Sequence, residues 1–315
     1  MYREPIFLKP VFQERIWGGE KLKQEYNYDI PSKHTGEAWV ISAHPNGPNV
    51  IENGFLAGKT LAEAWNSHGE LFNKKQEDYP LLVKVLDAND NLSVQVHPDD
   101  TFAREVEKQP YGKTECWYVL SAEPDAELVL GHHAKTQEEL EKMMDHEEWD
   151  QLLNKVKVKA GDFFYVPSGT IHAIGEGIVI LEIQQSSDIT YRVYDYDRTD
   201  ADGNKRELHL ERSKQVATVP HQQIKLARDV QQSDGLKITT LVQEEYFSVF
   251  HWQLNGKAEQ EMTTDFLQIS VIEGKAELTT NESTVHVEKG EHFILPYGMG
   301  SYRLSGEAEM IVSHS

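Results

Sequence analysis

The chain has 315 residues, and its 39% hydrophobic and 26% charged side chains are typical of a soluble globular protein. Its 31 basic and 52 acidic side chains give a formal net charge of −21 at pH 7, which argues against nucleic acid or an anionic membrane as a partner. No stretch approaches the roughly 18 apolar residues of a membrane span, the N-terminus lacks a signal-peptide pattern, and a single cysteine, Cys116, excludes an internal disulfide; we therefore expect a cytoplasmic protein.

The first 100 residues predict a mixed segment followed by a β-rich one. A Trp-Gly-Gly turn at residues 17–19 precedes a short helix around residues 20–26, and TLAE at residues 60–63 fits a capping box that opens a second helix. From Pro80 the pattern changes. Residues 81–86 predict a strand, and residues 91–97 alternate like the returning strand of a hairpin.

The rest of the chain also predicts short strands. A short helix to about Lys108 precedes a predicted hairpin of residues 116–120 and 126–130, and a helical insertion over about 136–154 opens at Thr136. The β pattern returns up to about residue 196. A polar, irregular tract at 200–235 then leads to further short strands. We predict a mainly β protein with a few short helices rather than a doubly wound sheet.

One pattern occurs twice in the chain. Residues 161–172 (GDFFYVPSGTIH) and 290–301 (GEHFILPYGMGS) both read G-x5-P-x-G-x2-X, where X is His172 in the first copy and Ser301 in the second. The pattern predicts a turn, a strand, a proline-glycine turn, and a strand whose first inward position is X. It resembles the second signature of the cupin superfamily.

The resemblance to cupins implies two cupin-like (jelly-roll) β-barrels. We expect residues 1–235 to hold an N-terminal extension and a metal-binding barrel with its core at about 80–200. Residues 236–315 would form a degenerate second barrel without a metal, because serine replaces histidine at the signature position.

A metal site is predicted from strand alternation. Because side chains in a strand alternate, Ser93, Gln95 and His97 share one face, and the apolar residues between them suit packing between sheets. Polar groups in an interior cost free energy unless they are paired. A divalent metal bound by His97, Glu115 and His172 satisfies that requirement; these ligands suit zinc but also Fe(II), Mn or Co, and Gln95 is a candidate fourth ligand.

Several segments are similar to the type I phosphomannose isomerases of the short bacterial kind. They lie at residues 15–19 (RIWGG), 36–42 (GEAWVIS), 93–99 (SVQVHPD), 113–118 (KTECWY) and 182–192 (EIQQSSDITYR), so the similarity covers most of the chain. The resemblance implies one Zn²⁺ held by Gln95, His97, Glu115 and His172. It also implies interconversion of mannose 6-phosphate and fructose 6-phosphate through an enediol(ate). The family often has His-Lys-Pro-Glu before the ligand Glu, whereas this chain has GKTE at residues 112–115.

The implied reaction needs groups for the proton, the oxygens and the phosphate. The family's active-site arginine falls on Arg192, and Lys113 lies two residues from a ligand. We expect Lys84, Lys113 and Ser93 to bind phosphate, with Arg192 near the sugar or phosphate. A solvated edge lysine is the alternative for Lys84, and a surface ion pair with Asp195 or Asp197 is the alternative for Arg192.

The proton-transferring base is the least determined role. Glu182 lies in an apolar strand, so it is either the base or a structural partner of Arg192. A metal-bound water and His97 are its rivals. Asp188 is expected to orient Arg192, and Trp17 either lines the pocket or belongs to the core.

Two other functions remain open at this point. Another metal-dependent cupin enzyme, such as an Fe(II) dioxygenase, would use the same ligands without needing a basic cluster. A non-catalytic sugar-phosphate-binding protein would keep the basic cluster and need no base. In each phosphate-based hypothesis the partner is a small sugar phosphate. For the oligomeric state, monomer and weak dimer both remain possible.

Overall fold

The computed structural model describes residues 2–199 and 203–315, and within them β-strands predominate. The strands are β1 Ile6–Lys9, β2 Val11–Gly19, β3 Thr35–Ile41, β4 Val50–Ile51, β5 Leu81–Ala88, β6 Val94–Val96, β7 Glu115–Ala122, β8 Glu127–His132, β9 Leu153–Lys157, β10 Phe163–Val166, β11 His172–Ala173, β12 Ile178–Gln185, β13 Tyr191–Tyr194, β14 Val230–Ser233, β15 Leu236–Gln243, β16 Ser248–Glu261, β17 Leu267–Thr279, β18 Thr284–Glu288, β19 His292–Leu295 and β20 Ser301–His314. The helices are α1 Lys21–Tyr26, α2 Leu61–Ser67, α3 Asp100–Phe102 with a π-helical continuation Ala103–Glu107, α4 Gln137–Asp145, α5 Trp149–Leu152 and α6 Leu210–Val216.

The strands form three antiparallel sheets. One has the order β10-β7-β12-β5-β3-β2 and a second the order β13-β6-β11-β8-β9. The third runs β14-β15-β16-β20-β17-β19-β1-β4, with β18 beside β17. The mainly β prediction is confirmed. The division at residue 235 stays a prediction, and the sheets add that β1, from the N-terminal region, pairs with β19 of the C-terminal one.

Both predicted hairpins before residue 131 are wrong. β5 pairs with β12 and β3, whereas β6 pairs with β11 and β13 in the other sheet. The chain between them crosses over: Asn89 donates its backbone N–H to Trp17 O, and Leu92 donates to Ile174 O. β7 and β8 likewise belong to different sheets. Local alternation identified the strands, but it carries no information about which strands pair.

Helices α4, α5 and α6 pack on one face of the five-stranded sheet. Thr136 caps α4 by accepting a hydrogen bond from Glu139 N, as predicted. Val94 and Val96 lie in one buried cluster with α4 side chains such as Leu140. The apolar face of β6 is therefore covered by helices, and the expectation that it packs between the sheets is wrong. Its polar face is turned to the space between the sheets instead. None of the helices in the described ranges is long and apolar enough to cross a membrane.

The two repeats fold as predicted up to their last position. Both proline-glycine turns pass through a left-handed glycine, Gly169 at φ 82° and Gly298 at φ 74°. His172 is buried, but Ser301 is exposed and its neighbour Tyr302 is buried. The predicted inward position is therefore right for the first copy and wrong for the second. In the second copy the turn includes another left-handed residue, Gly300, directly before the strand.

Gly169 lies three residues before the predicted metal ligand His172 and contacts the backbone of the other predicted histidine ligand, His97. The Gly169 N–H donates to His97 O at 2.8 Å. A Cβ on residue 169 would lie 2.4 Å from Thr218 Oγ1. Because both the positive φ and the clash oppose a side chain, we expect Gly169→Ala to lower the free energy of unfolding by about 1–3 kcal/mol. Chemical denaturation measures this loss.

Gly58→Ala is the matched control for that substitution. Gly58 has φ 84°, but a Cβ there meets no atom within 4 Å. Gly58→Ala should therefore lower the free energy of unfolding only by the cost of the left-handed backbone, about 1 kcal/mol. Equal losses in the two variants would mean that the contact with Thr218 is unimportant.

Candidate active site

The predicted functional residues meet in one pocket between the six-stranded and five-stranded sheets. On the five-stranded sheet, His172, Gln95 and Arg192 are direct cross-strand neighbours on β11, β6 and β13. Cross-strand neighbours project from the same face of a sheet. The opposite sheet contributes a row with the order Trp117, Glu182, Lys84 and Trp39 on β7, β12, β5 and β3. The cavity between these rows has a volume of about 440 Å³.

His97, Glu115 and His172 form a compact, buried cluster beside this pocket, in contact with Gln95 and Lys113 of its lining. His172 Nε2 lies 3.2 Å from Glu115 Oε1, and His97 Nε2 lies 3.5 Å from Glu115 Oε2. One potential ligand atom from each residue lies within 4.8 Å of the others. It is the one group of three or more His, Cys, Asp or Glu side chains with this geometry in the described part of the chain.

The hydrogen bonds of the two imidazoles fix their tautomers. His97 Nδ1 lies 2.8 Å from Ile189 O, and His172 Nδ1 lies 2.9 Å from Thr170 O. A carbonyl oxygen only accepts, so each Nδ1 carries the proton and each Nε2 presents its lone pair. Burial is the main reason that the pKa of His172 falls to about 4 and that of His97 falls well below its usual value.

Two neutral imidazole lone pairs thus point toward the same carboxylate. Lone pairs that face a carboxylate need a positive charge among them, and Lys113 supplies one in this structure. A divalent metal would supply the same charge, and histidines that donate Nδ1–H to a carbonyl are the usual form of metal-binding histidine. The donor set therefore fits a divalent metal. Gln95 lies at the edge of the cluster, with its amide nitrogen 3.3 Å from His172 Nε2, and a rotated amide would present its oxygen instead.

Lys113 contacts two of the ligand atoms. Its Nζ lies 2.7 Å from Glu115 Oε2 and 3.0 Å from His97 Nε2. Burial lowers the pKa of Lys113, but Glu115 and Glu182 outweigh it and leave the pKa raised. The Lys113 ammonium therefore contacts the cluster itself. It forms an ion pair with Glu115, whereas we had expected it to bind phosphate.

Lys84 is buried, so its interpretation as a solvated edge lysine is wrong. Its Nζ lies 3.5 Å from Glu182 Oε2, and the Glu182 side chain also accepts from Trp117 Nε1 at 3.2 Å. The same indole N–H lies 3.1 Å from Glu115 Oε1. Burial, followed by the charge of Glu115, raises the pKa of Glu182 despite the two lysines. A buried carboxylate with a raised pKa is suited to exchange a proton near neutral pH.

Arg192 has no carboxylate partner among the described residues. Its Nη1 donates to Glu207 O at 2.8 Å, while its buried Nε has no hydrogen-bond partner there. The expected surface ion pair is absent within the described ranges, because Asp195 binds Arg198 and Arg206 and Asp197 binds Lys205. Burial, and then the neighbouring Arg206, lowers the pKa of Arg192.

Two further predicted contacts of Arg192 do not form. Glu182 pairs with Lys84 rather than with Arg192. Asp188 accepts a hydrogen bond from Asn46 Nδ2 at 2.5 Å, and its carboxylate lies 3.7 Å from His44 Nε2, so it does not orient the arginine. Asp188 nevertheless lines the pocket. Its partner Asn46 also lines the pocket and comes from the loop that follows β3 on the facing sheet.

Trp17 and Ser93 also line the pocket, as expected. Trp17 has both of the roles considered for it: it is buried in a core cluster, and it also borders the cavity. Cys116 is buried on the opposite face of β7, where burial raises the pKa of its thiol well above the usual value, as expected of an inert cysteine.

Several pocket residues escaped prediction. Arg15, Glu37, Trp39, Asn46 and Arg206 all line the cavity. Glu37 and Trp39 lie in the GEAWVIS segment, and Arg15 lies in RIWGG, so the family resemblance marked their positions without a role. Arg206 comes from the polar tract at 200–235, which has no periodic pattern. Within that tract the structure forms α6 and β14, and residues 200–202 lie outside the described ranges.

Family models and curated proteins match most of this chain. A model of the phosphomannose isomerase type I catalytic domain matches residues 6–117, and a model of the mannose-6-phosphate isomerase cupin domain matches residues 237–315. The chain is 52% identical to mannose-6-phosphate isomerase ManA of Bacillus subtilis over the full length of both chains. It is 50% identical to the Streptococcus mutans enzyme over 99% of this chain and 98% of that one.

Solved structures show the same likeness. The crystal structure of mannose 6-phosphate isomerase from Bacillus subtilis superposes with a TM-score of 0.97 at 48% identity, covering 99% of each chain. The apo form from Salmonella typhimurium has a TM-score of 0.74 at 17% identity over 100% of both chains, which indicates a shared fold. The two-barrel cupin fold class inferred from the repeat is thereby confirmed. By the extent and identity of these matches, the chain belongs to the type I phosphomannose isomerase family.

Proposed function

We propose that the chain interconverts mannose 6-phosphate and fructose 6-phosphate, with a zinc ion in the His97–Glu115–His172 cluster. The observation that carries this proposal is that the cluster contacts Gln95 and Lys113 in the wall of the pocket that Arg192 also lines. Arg192 is a partly buried cation without a carboxylate partner among the described residues. The donor set favours a metal, and the arginine favours an anionic substrate.

The proposed reaction has three requirements. Moving a proton between C2 and C1 of the sugar through an enediol(ate) requires stabilisation of the oxygen charge, a proton carrier and a hold on the phosphate. Zinc bound by His97, Glu115, His172 and the amide oxygen of Gln95 would supply a redox-silent Lewis acid that polarises the sugar oxygens. The carbonyls of Ile189 and Thr170 keep the two imidazoles in the ligand tautomer.

Glu182 is our candidate for the proton carrier. It is buried in the row that faces the cluster, and its raised pKa follows from burial and from the charge of Glu115. The Trp117 N–H, placed between the carboxylates of Glu182 and Glu115, fixes the orientation of Glu182. A carboxylate oriented in this way can take a proton from one sugar carbon and return it to the next.

Arg192 is our candidate for binding the phosphate or the enediolate oxygens. Lys84 and Lys113 already contact buried carboxylates, so much of their charge is compensated within the protein. Arg192 keeps its charge for the ligand, and its planar guanidinium matches a phosphate or an enediolate. Lys113 would add positive charge on the metal side, and Ser93, Trp17 and Asp188 would line the sugar site.

The two rival functions are less well supported. An Fe(II) dioxygenase leaves the pocket arginines and the buried Glu182 without a role. A non-catalytic sugar-phosphate-binding protein needs neither a base nor a metal cluster. The acidic composition and the single buried cysteine fit a cytoplasmic enzyme that acts on a small molecule.

A coupled assay that follows fructose 6-phosphate formation tests the proposal. We expect turnover by the purified protein to be lost when a chelator removes the metal and to return when zinc is restored, with metal content measured on the same samples. Turnover that survives complete metal removal would exclude the metal mechanism. A silent assay with zinc restored would exclude the isomerase activity.

A further inference from the structure

We propose that Glu37 is a positioning residue for this isomerisation. Glu37 holds the Lys84 ammonium between two carboxylates, so that Lys84 and Glu182 both remain available to the substrate. The inference rests on the proposed function, and it assigns a role to a carboxylate that the sequence patterns did not single out.

Both oxygens of Glu37 are held by neighbouring side chains. Arg15 Nε donates to Oε1 at 2.8 Å, and Trp39 Nε1 donates to Oε2 at 2.6 Å. The residue is buried and borders the pocket. Burial raises the pKa of Glu37, but Lys84 and Arg15 outweigh it and leave the pKa lowered. Glu37 is therefore a fixed negative charge.

Lys84 lies between this charge and Glu182. Its Nζ is 3.8 Å from Glu37 Oε2 and 3.5 Å from Glu182 Oε2, and it lies 5.0 Å from the centre of the Trp39 ring. A direct charge-assisted hydrogen bond to a carboxylate is shorter, about 2.7–2.9 Å. Lys84 is thus attracted by both carboxylates without a close hydrogen bond to either, and its N–H groups can turn toward a substrate oxygen.

The alternating order of charges makes this balance depend on Glu37. Four charged side chains follow one another in space with alternating sign. They are Arg15 (positive), Glu37 (negative), Lys84 (positive) and Glu182 (negative). If Glu37 lost its charge, the Lys84 ammonium would have one carboxylate left within reach, and it would close on Glu182. A direct bond there would occupy the candidate base and the lysine at the same time.

The substitution Glu37→Gln tests this role, because it keeps the shape and the acceptor for the Trp39 N–H while removing the charge. We expect kcat to fall about 10-fold or more, which is less than the roughly 10²- to 10⁴-fold that a proton-transfer group itself contributes, with KM changed less than about 3-fold. Lys84→Met should lower kcat as well. If Glu37 acts through Lys84, the double variant should match Lys84→Met alone to within about 2-fold.

Two further variants make the test decisive. Glu14→Gln, the same change at an exposed position on β2, should leave kcat unchanged. Glu37→Asp keeps the charge and should recover part of the lost activity, and it remains informative if the glutamine variant does not fold. Wild-type kcat for Glu37→Gln, or losses that multiply in the double variant, would overturn the inference. Absence of turnover in the wild type would instead refute the proposed function.

Discussion

Replacing His172 by alanine is expected to abolish metal retention and turnover together. His172 Nε2 is one of two imidazole lone pairs directed at Glu115, and Thr170 O fixes its orientation. Without it, His97, Glu115 and the neutral amide oxygen of Gln95 would remain, and this set lacks the second imidazole on which tight zinc binding depends. We expect turnover to fall by at least about 10²- to 10³-fold. Metal content after dialysis and the fructose 6-phosphate assay measure the two losses.

His133→Ala is the control for this prediction. His133 lies in the same barrel but is exposed and outside the cluster, so the variant should keep both metal and activity. Thermal unfolding in the presence of chelator separates loss of the ligand from loss of the fold. If His172→Ala bound one equivalent of zinc as tightly as the wild type, the proposed ligand set would be wrong.

Replacing Arg192 by alanine should have the second-largest effect and should leave the metal in place. The guanidinium is a cross-strand neighbour of Gln95, and its buried Nε lacks a partner among the described residues, so it is ready to receive an anion. We expect kcat/KM to fall about 10²- to 10³-fold, or roughly 3–4 kcal/mol of transition-state stabilisation. Steady-state kinetics and metal analysis on the same preparation measure both properties.

The charge and the geometry of Arg192 can be distinguished. Arg192→Lys keeps the charge but loses the planar set of donors, so it should recover only part of the activity. Arg303→Ala, at an exposed position in the second barrel, should have wild-type kinetics. Normal turnover in Arg192→Ala would remove this residue from the active site.

The candidate metal cluster was the part of the site most accessible from sequence. Strand alternation placed Gln95 and His97 on one face, and the repeated glycine-proline pattern singled out His172. Glu115 was located by its place at the start of a strand and by the family resemblance. These signals are local, because the period of a strand and the conformation of a proline-glycine turn are set by residues next to one another.

The charged partners of the site were not accessible in that way. Lys84 has the pattern of an edge residue, yet β3 and β12 flank its strand and bury it beside Glu37 and Glu182. Asp188 lies four residues from Arg192 but binds Asn46, which is 142 residues away in the chain. Proximity in sequence therefore suggested the wrong partner.

The sequence by itself determined most strands, the two-barrel class and the members of the candidate metal cluster. The strands and the two histidines follow from short-range patterns, and Glu115 follows in part from the family resemblance. Only the tertiary structure decided which strands pair, which face of β6 the helices cover, and which cations already have a carboxylate partner. The physical reason is that cross-strand register is set by packing between distant segments. That register brings Arg192 beside Gln95, and it sets the Glu182–Lys84 pair on the facing sheet.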